Sequence, residues 1–290
     1  MSSHLPELAA LVVHVRCERA TRITMHLGRA IQFIALNAIQ QVDPELSTRL
    51  HDGHGAKPYA VSGLLRPDGT PVHGNIEVGE TAWFRIVGLS AEVCHALDAF
   101  AAAPPQFIEI DKRPWSIQSV TWSHPWASRT SYHQLVTQHQ STRPAKRFPL
   151  EVLSPAAFHS MGTNMPFPLP VLVFQSLFLR WREFCAIPLP DEFMVWVESF
   201  VMLSRFRGET EMLAFKQGSK QVGFTGEVQF TIATKNEALA RSEPDLNAFL
   251  SVQHSQFHRI ASMLIAFSFY SGIGIKTTSG MGMVRPTLDR

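Results

Sequence analysis

Ser271-Gly272-Ile273-Gly274-Ile275-Lys276-Thr277-Thr278-Ser279-Gly280-Met281-Gly282-Met283-Val284-Arg285 is the stretch from which the rest of the chain is read. Two Gly-x-Gly pairs bracket a Lys-Thr-Thr-Ser segment, directly after an apolar helical run from Ile260 to Tyr270. Glycine reaches φ > 0 and lets main-chain N–H groups approach an anion closely. The Lys276 ammonium and the Thr277, Thr278 and Ser279 hydroxyls add charge and donors. The order is wrong for a mononucleotide P-loop, in which G-x-x-x-x-G-K-[ST] follows a strand and precedes a helix. It is equally wrong for a dinucleotide fingerprint, which opens a helix and needs an acidic residue about twenty positions on. A glycine-rich turn into a last strand accounts for the glycines alone. The lysine and hydroxyls between them point to a nucleic-acid or polyphosphate backbone.

Upstream of this loop the hydrophobic periodicity alternates between two and 3.6. Leu8 to Cys17 reads as a strand, with Leu11, Val13, Val15 and Cys17 on one face and Val12, His14 and Arg16 on the other. A helix follows from Thr24 to Val42, and Asp43-Pro44 ends it and starts a short one through Leu50. Tyr59 to Leu65 and Glu80 to Val87 read as strands, Ala91 to Ala102 as a helix, and Phe107 to Ile110 with Trp115 to Trp122 as the closing strands. That order is the β-α-β-β-α-β of a ferredoxin-like unit. Past a polar, basic segment from Gln138 to Pro149, the order repeats. The second unit has strands from Phe148 to Leu153, at Ala214-Phe215, in a Gly218/Gly223 hairpin and from Val228 to Thr234, and a closing strand from Met281 to Thr287. Its helices read as Val171 to Phe184, Asp191 to Ser204 and Pro244 to Tyr270. The expected fold is α+β: two tandem ferredoxin-like domains, residues 1–140 and 148–290, ending in the glycine-rich loop.

At 290 residues the chain is natural for two such domains. With 45% hydrophobic and 17% charged residues it is far from the composition of disorder. A net charge of +2 neither supports nor excludes RNA, since the 13 histidines and 26 Lys and Arg can still form a basic face locally. Cys17, Cys94 and Cys185 form no C-x-x-C pair, so no disulfide framework or zinc ribbon is expected, and a reducing compartment fits. His254 and His258 lie four apart, but no Glu stands between them and no third ligand is well spaced, so no metal is expected. No cofactor is expected. The N-terminus lacks a signal-peptide pattern, and runs such as Val171 to Leu179 are too short to span a bilayer, which suggests a cytoplasmic protein without a membrane partner. Of the six tryptophans, Trp122 and Trp126, beside prolines and polar residues, are the ones expected at the surface, where RNA-binding proteins use aromatic platforms.

The terminal loop resembles the glycine-rich loop of the CRISPR repeat-RNA endoribonucleases, the sixth Cas family of the RAMP superfamily. Other segments resemble that family's blocks in the expected order. They are Leu50-His51 followed by Lys57-Pro58-Tyr59-Ala60-Val61-Ser62, Gly79-Glu80-Thr81-Ala82-Trp83-Phe84-Arg85-Ile86, and Ser154-Pro155-Ala156-Ala157-Phe158. Pro168-Leu169-Pro170, Ser176-Leu177-Phe178-Leu179-Arg180-Trp181 and Gly223-Phe224-Thr225-Gly226 complete the series.

The resemblance implies two RNA-recognition-motif-like domains that cut precursor CRISPR RNA within each repeat, without metal. The 2′-hydroxyl attacks and leaves a 2′,3′-cyclic phosphate and a 5′-hydroxyl. The partner is CRISPR repeat RNA, joined in an effector complex by other Cas proteins. His51 matches the family's catalytic histidine by its Leu-His context, and imidazole ordinarily titrates around neutrality. Lys57, six residues on, matches a lysine of some members, where a cation would stabilise the phosphorane. Some members carry a tyrosine or second histidine on the first helix. Here there is no tyrosine between Thr24 and Val42, so His26 and Arg29 are the substitutes, with His54 a rival to His51. RNA contacts are expected from Gly272, Gly274, Lys276, Thr277, Thr278, Ser279, Gly280, Gly282 and Arg285, and from scattered cations such as Arg113, Lys216 and Lys220. A non-catalytic RNA-binding scaffold of the same superfamily and an unrelated nucleotide-binding enzyme are the alternatives.

Overall fold

The structure, a computed structural model, describes residues 6–53, 55–215 and 218–287. His54 and Lys216 lie outside the described residues. In chain order the first half contains β1 (Leu8–Cys17), β2 (Thr21–Ile23), α1 (Gly28–Val42), α2 (Pro44–Asp52), β3 (Tyr59–Val61), β4 (Gly74–Ile76) and β5 (Thr81–Gly88). It continues through α3 (Ala91–Ala102), β6 (Phe107–Ile110), β7 (Arg113–Thr121), β8 (Ser128–Thr130) and α4 (Tyr132–Ser141). The second half contains β9 (Arg147–Ala156), β10 (Phe158–Ser160), β11 (Thr163–Met165), α5 (Pro170–Phe184), α6 (Phe193–Phe200), β12 (Val201–Ala214) and β13 (Lys220–Ile232). It closes with α7 (Glu237–Ser242), α8 (Pro244–Ser271), a 3-10 turn at Thr277–Ser279 and β14 (Val284–Pro286).

Two main antiparallel sheets result, ordered β3-β5-β1-β7-β6, with β8 also on β1, and β12-β13-β9-β14, beside the two-stranded pairs β2-β4 and β10-β11. In both, the first strand of the unit lies between the third and the fourth, with the second at the edge, so both are ferredoxin-like. The alternation of β1 explains the first core: Leu11, Val13 and Val15 meet Ile31, Ile34 and Ala35 of α1 and Val93, Ala96 and Leu97 of α3. In the second, Leu150 and Val152 of β9 pack against Val173, Phe174, Leu177 and Trp181 of α5 and Phe257, Leu264 and Phe267 of α8. The second core also takes in Leu8, Ala10, Val87 and Leu89 of the first sheet, so the two sheets share a continuous apolar seam.

Local chemistry sets the helix boundaries. The Asp43 carboxylate accepts from the Leu46 amide at 2.8 Å, with Pro44 in the first turn. Ser131 and Gln134 form a capping box at the start of α4.

Four expectations are corrected. The helix expected from Asp191 to Ser204 stops at Phe200, and the chain continues as the 14-residue strand β12. With the 13-residue β13 it makes a long hairpin in place of the short strands expected there. β12 is an edge strand exposed along most of its length, with Arg205, Phe206, Arg207, Glu209 and Met212 all facing water. Neither face is steadily apolar, so the period of two that marks a strand is missing. The polar segment after Gln138 is shorter than expected, because α4 runs through Ser141 and β9 begins at Arg147. Trp126, expected at the surface, is buried between the Arg285 guanidinium, 4.7 Å from its ring, and the stacked ring of Phe269. No helix among the described residues is long and apolar enough to cross a membrane.

Candidate functional site

The glycine loop closes the seam between the two sheets. Gly272, Gly274, Gly280 and Gly282 all have positive φ, and a Cβ on Gly274 or Gly282 would stand 2.2 Å or 2.0 Å from a backbone oxygen. These glycines are therefore required by packing. Their amides are largely committed: Gly272 to Ser268 O, Gly274 to Ser176 Oγ and Gly282 to Pro155 O. Ile273 and Ile275 donate to Gly282 O and Ala157 O, and Met283 donates to Ser154 Oγ at 2.8 Å. The part of the loop left for an anion is its middle, where Lys276 is exposed and Thr278 and Ser279 are half-buried, while Thr277 is buried.

The dispersed sequence blocks converge on this loop. Ser154, Pro155 and Ala157 accept its amides. Gly223 lies against Pro155 and Ala156, where a Cβ would meet backbone at 2.8 Å. Ser62 forms a parallel bridge with Gly280, and its hydroxyl accepts the Arg85 amide at 2.8 Å. The Arg180 guanidinium donates to Ser271 O, Gly272 O and Gly274 O at 2.9, 3.1 and 2.5 Å, tying α5 to the end of α8. Burial pulls Arg180 down to about 10. Arg85, by contrast fully buried, donates to Phe269 O, lies 4.2 Å from the Phe269 ring and is pulled down to about 9 by burial. These two arginines read as surface charges in a sequence; the only signal that could have marked them is their place in the blocks.

The other predicted residues fall into two groups. His51 and Lys57 stand at the C-terminal end of α2. His51 Nδ1 is 2.7 Å from Asp52 Oδ1, both side chains are more than two-thirds exposed, and Lys57 Nζ donates at 2.5 Å to the carbonyl of Gly53, whose N–H caps the helix on Arg49 O. A lysine near the C-terminal end of a helix is favoured by the helix dipole.

The second group spans the seam. His26 precedes α1 and is largely enclosed: its Nε2 is 3.1 Å from Ser279 O, and its backbone amide donates to Ala214 O at 2.9 Å. Burial outweighs that hydrogen bond and lowers His26 to about 4. Its ring meets the edge of Phe215 at 5.5 Å, while Arg29 and Lys276 stand 5.8 and 5.0 Å from the same ring. Phe215, 4% exposed at the end of β12, is thus the hub of three predicted residues and was itself missed, because one Phe beside a turn carries no signal. Gln32 of α1 links the group to β3, donating to Tyr59 OH at 2.9 Å and accepting from Ser279 Oγ at 3.4 Å. No hydrogen bond or ring contact among the described residues joins this group to His51. Arg285 is paired with Glu151 at 2.5 Å, across the β14–β9 pairing. Lys220 is exposed and Arg113 half-buried. The rings of His254 and His258 are engaged separately, by the Trp196 indole N–H at 3.0 Å and by Ala145 O at 2.6 Å.

Two ferredoxin-like sheets in tandem, closed by a glycine loop at their seam, define the class of fold. The particular relatives follow from comparison. Residues 150–284 match the family described as "CRISPR-associated endoribonuclease Cas6". The CRISPR-associated endoribonuclease Cas6 of Mycobacterium tuberculosis is 31% identical over 142 residues, which is 48% of this chain and 38% of that protein's length. The fold matches a Cas6 product complex with TM-score 0.73 at 23% identity, covering 97% of this chain and 99% of that one. A Thermus thermophilus Cas6 matches at 0.67 and 20%, over 98% and 100% of the two chains. A RAMP protein described as binding different RNA substrates matches at 0.57 and 14%, over 97% and 100%. The sequence matches are to the CRISPR-associated endoribonuclease Cas6, and the structural matches share its fold.

Proposed function

We propose that this protein is an endoribonuclease of CRISPR RNA processing. It would cut repeat RNA by 2′-hydroxyl attack, with residues 1–140 carrying the catalytic histidine and residues 148–290 the RNA-holding loop. The observation that supports this most directly is the His51 and Asp52 pair on an exposed helix end. With Nδ1–H donated to the carboxylate, the lone pair of Nε2 is free to take a proton. In the proposed reaction Nε2 removes the 2′-hydroxyl proton, the 2′-oxygen attacks the adjacent phosphorus, and the P–O5′ bond breaks. The products are the 2′,3′-cyclic phosphate and, once solvent has protonated the leaving oxygen, a 5′-hydroxyl. This chemistry needs no metal ion. The ammonium of Lys57 and the guanidinium of Arg29 balance the charge of the phosphorane. His26, with its ring nitrogen turned to Ser279 O, is assigned to holding the glycine loop. Lys276, Thr278 and Ser279 are assigned to the RNA backbone, consistent with their position on the open part of the loop.

The test is cleavage of end-labelled cognate repeat RNA in EDTA, alongside His51→Ala and a substrate with a 2′-deoxy at the scissile position. Cutting at one position, lost in both controls, is the expected result. Tight binding without cutting would overturn the enzyme reading in favour of an RNA-binding scaffold. Saturable ATP or GTP binding without competition from RNA would point to a nucleotide-binding enzyme.

A further inference from the structure

Arg29 and Lys276 come from opposite ends of the chain, on α1 and on the glycine loop, yet both stand within 6 Å of the Phe215 ring. Neither has a carboxylate partner among the described residues. Two long, rotamer-rich cations in water ordinarily sample many positions, and like charges drift apart. Here one buried ring supplies both with an attractive site, since the face of an aromatic ring carries negative quadrupole potential. The ring is itself fixed. Phe215 packs with Ala157 and Met281, its amide donates to Ser219 O at 2.8 Å, and the His26 ring closes its edge. Its burial keeps it from touching a ligand directly.

We propose that Phe215 is a positioning residue that orders Arg29 and Lys276 across the seam as a preformed pair of phosphate contacts. The inference rests on the endoribonuclease reading. The ring does two things. It desolvates one side of each cation and so lowers the entropy lost when RNA arrives, and it joins the hairpin β12–β13 to α1 so that both cations keep their places relative to one another.

The experiment compares Phe215→Leu, which keeps an apolar filler, with Phe215→Trp and with ring-fluorinated phenylalanine at the same position, which keeps the shape and drains the quadrupole. Each is measured for thermal unfolding, for cleavage of repeat RNA and for the salt dependence of RNA binding. The expected result is a fall in kcat/KM of roughly 10- to 100-fold for Phe215→Leu at near-unchanged melting temperature. Activity should decline steadily with the number of fluorines and should be retained by Phe215→Trp. The slope of log affinity against log salt should become shallower by about 1 to 2, as one or two phosphate contacts are lost. Full activity and an unchanged salt slope in Phe215→Leu and the fluorinated variants, beside an active wild type, would overturn the inference and leave the endoribonuclease reading standing. If Phe215→Leu unfolds, the fluorinated series decides alone. A wild type that neither binds nor cuts repeat RNA would overturn both.

Discussion

Replacing Arg180 by methionine tests whether the glycine loop is held by one partly buried fork. The guanidinium gives three hydrogen bonds to carbonyls, at 2.9, 3.1 and 2.5 Å, on Ser271, Gly272 and Gly274. Hydrogen bonds from a charged donor are worth about 1.5–3 kcal/mol each, so the three together amount to roughly 5–9 kcal/mol before the cost of burial. That cost is visible in the titration: burial alone brings Arg180 from its ordinary 12.5 to about 10, equivalent to about 3 kcal/mol against the charged form. The net loss in Arg180→Met is therefore about 2–6 kcal/mol, a large part of the stability of an ordinary domain. Arg180→Lys should recover less than half of it, because an ammonium on a flexible stem cannot reach three carbonyls splayed over four residues. Urea unfolding followed by circular dichroism gives both values. Arg180→Met within about 0.5 kcal/mol of wild type would refute the reasoning. So would full recovery by lysine, which would mean that charge near the end of α8 suffices and the fork is irrelevant.

Other outcomes follow from the same geometry. Gly274→Ala should destabilise by several kcal/mol, since it combines φ of +72° with a Cβ 2.2 Å from Ala157 O, and a melting temperature equal to wild type would contradict that account. Asp52→Asn should slow cleavage by about 10- to 1000-fold while leaving RNA affinity intact, if the carboxylate sets the His51 tautomer; single-turnover kinetics separates the two. His26 is held neutral by burial, with a folded value of about 4 below the ordinary 6.5. The unfolded chain therefore binds the proton first, so stability is complete above about pH 6.5 and falls by as much as about 3 kcal/mol as pH drops toward 4. His26→Gln should flatten stability across that window, and an unchanged slope in urea titrations at pH 4 to 7 would refute the linkage.

Much of this fold is legible because its signals are local. The alternation of Leu8 to Cys17, the 3.6 period up to Val42, and Asp43-Pro44 at a helix start each act within a few residues. The order of elements then follows, and with it the ferredoxin-like path of both sheets. β12 escaped because an edge strand wetted on both faces has no apolar period to read, and α6 was overextended because Val201 to Ser204 continues its apolar pattern. The glycines were legible as positions needing φ > 0, but sequence could not say why. Their amides were expected to face an anion, and most face the protein.

Residue types and spacing thus determined the elements, the double β-α-β-β-α-β order and the resemblance carried by His51, Lys57 and the glycine loop. Tertiary structure alone decided which side chains share a site. Arg29, Lys276 and Phe215 are brought together from three distant segments, and Arg85 and Arg180 turn inward to carbonyls that lie more than ninety residues or nearly two hundred residues away. The physical reason is range. Propensity and capping act over a turn or two of chain, whereas a ring's quadrupole and a buried carbonyl's need for a donor act through space, on whatever the two packed sheets bring within reach.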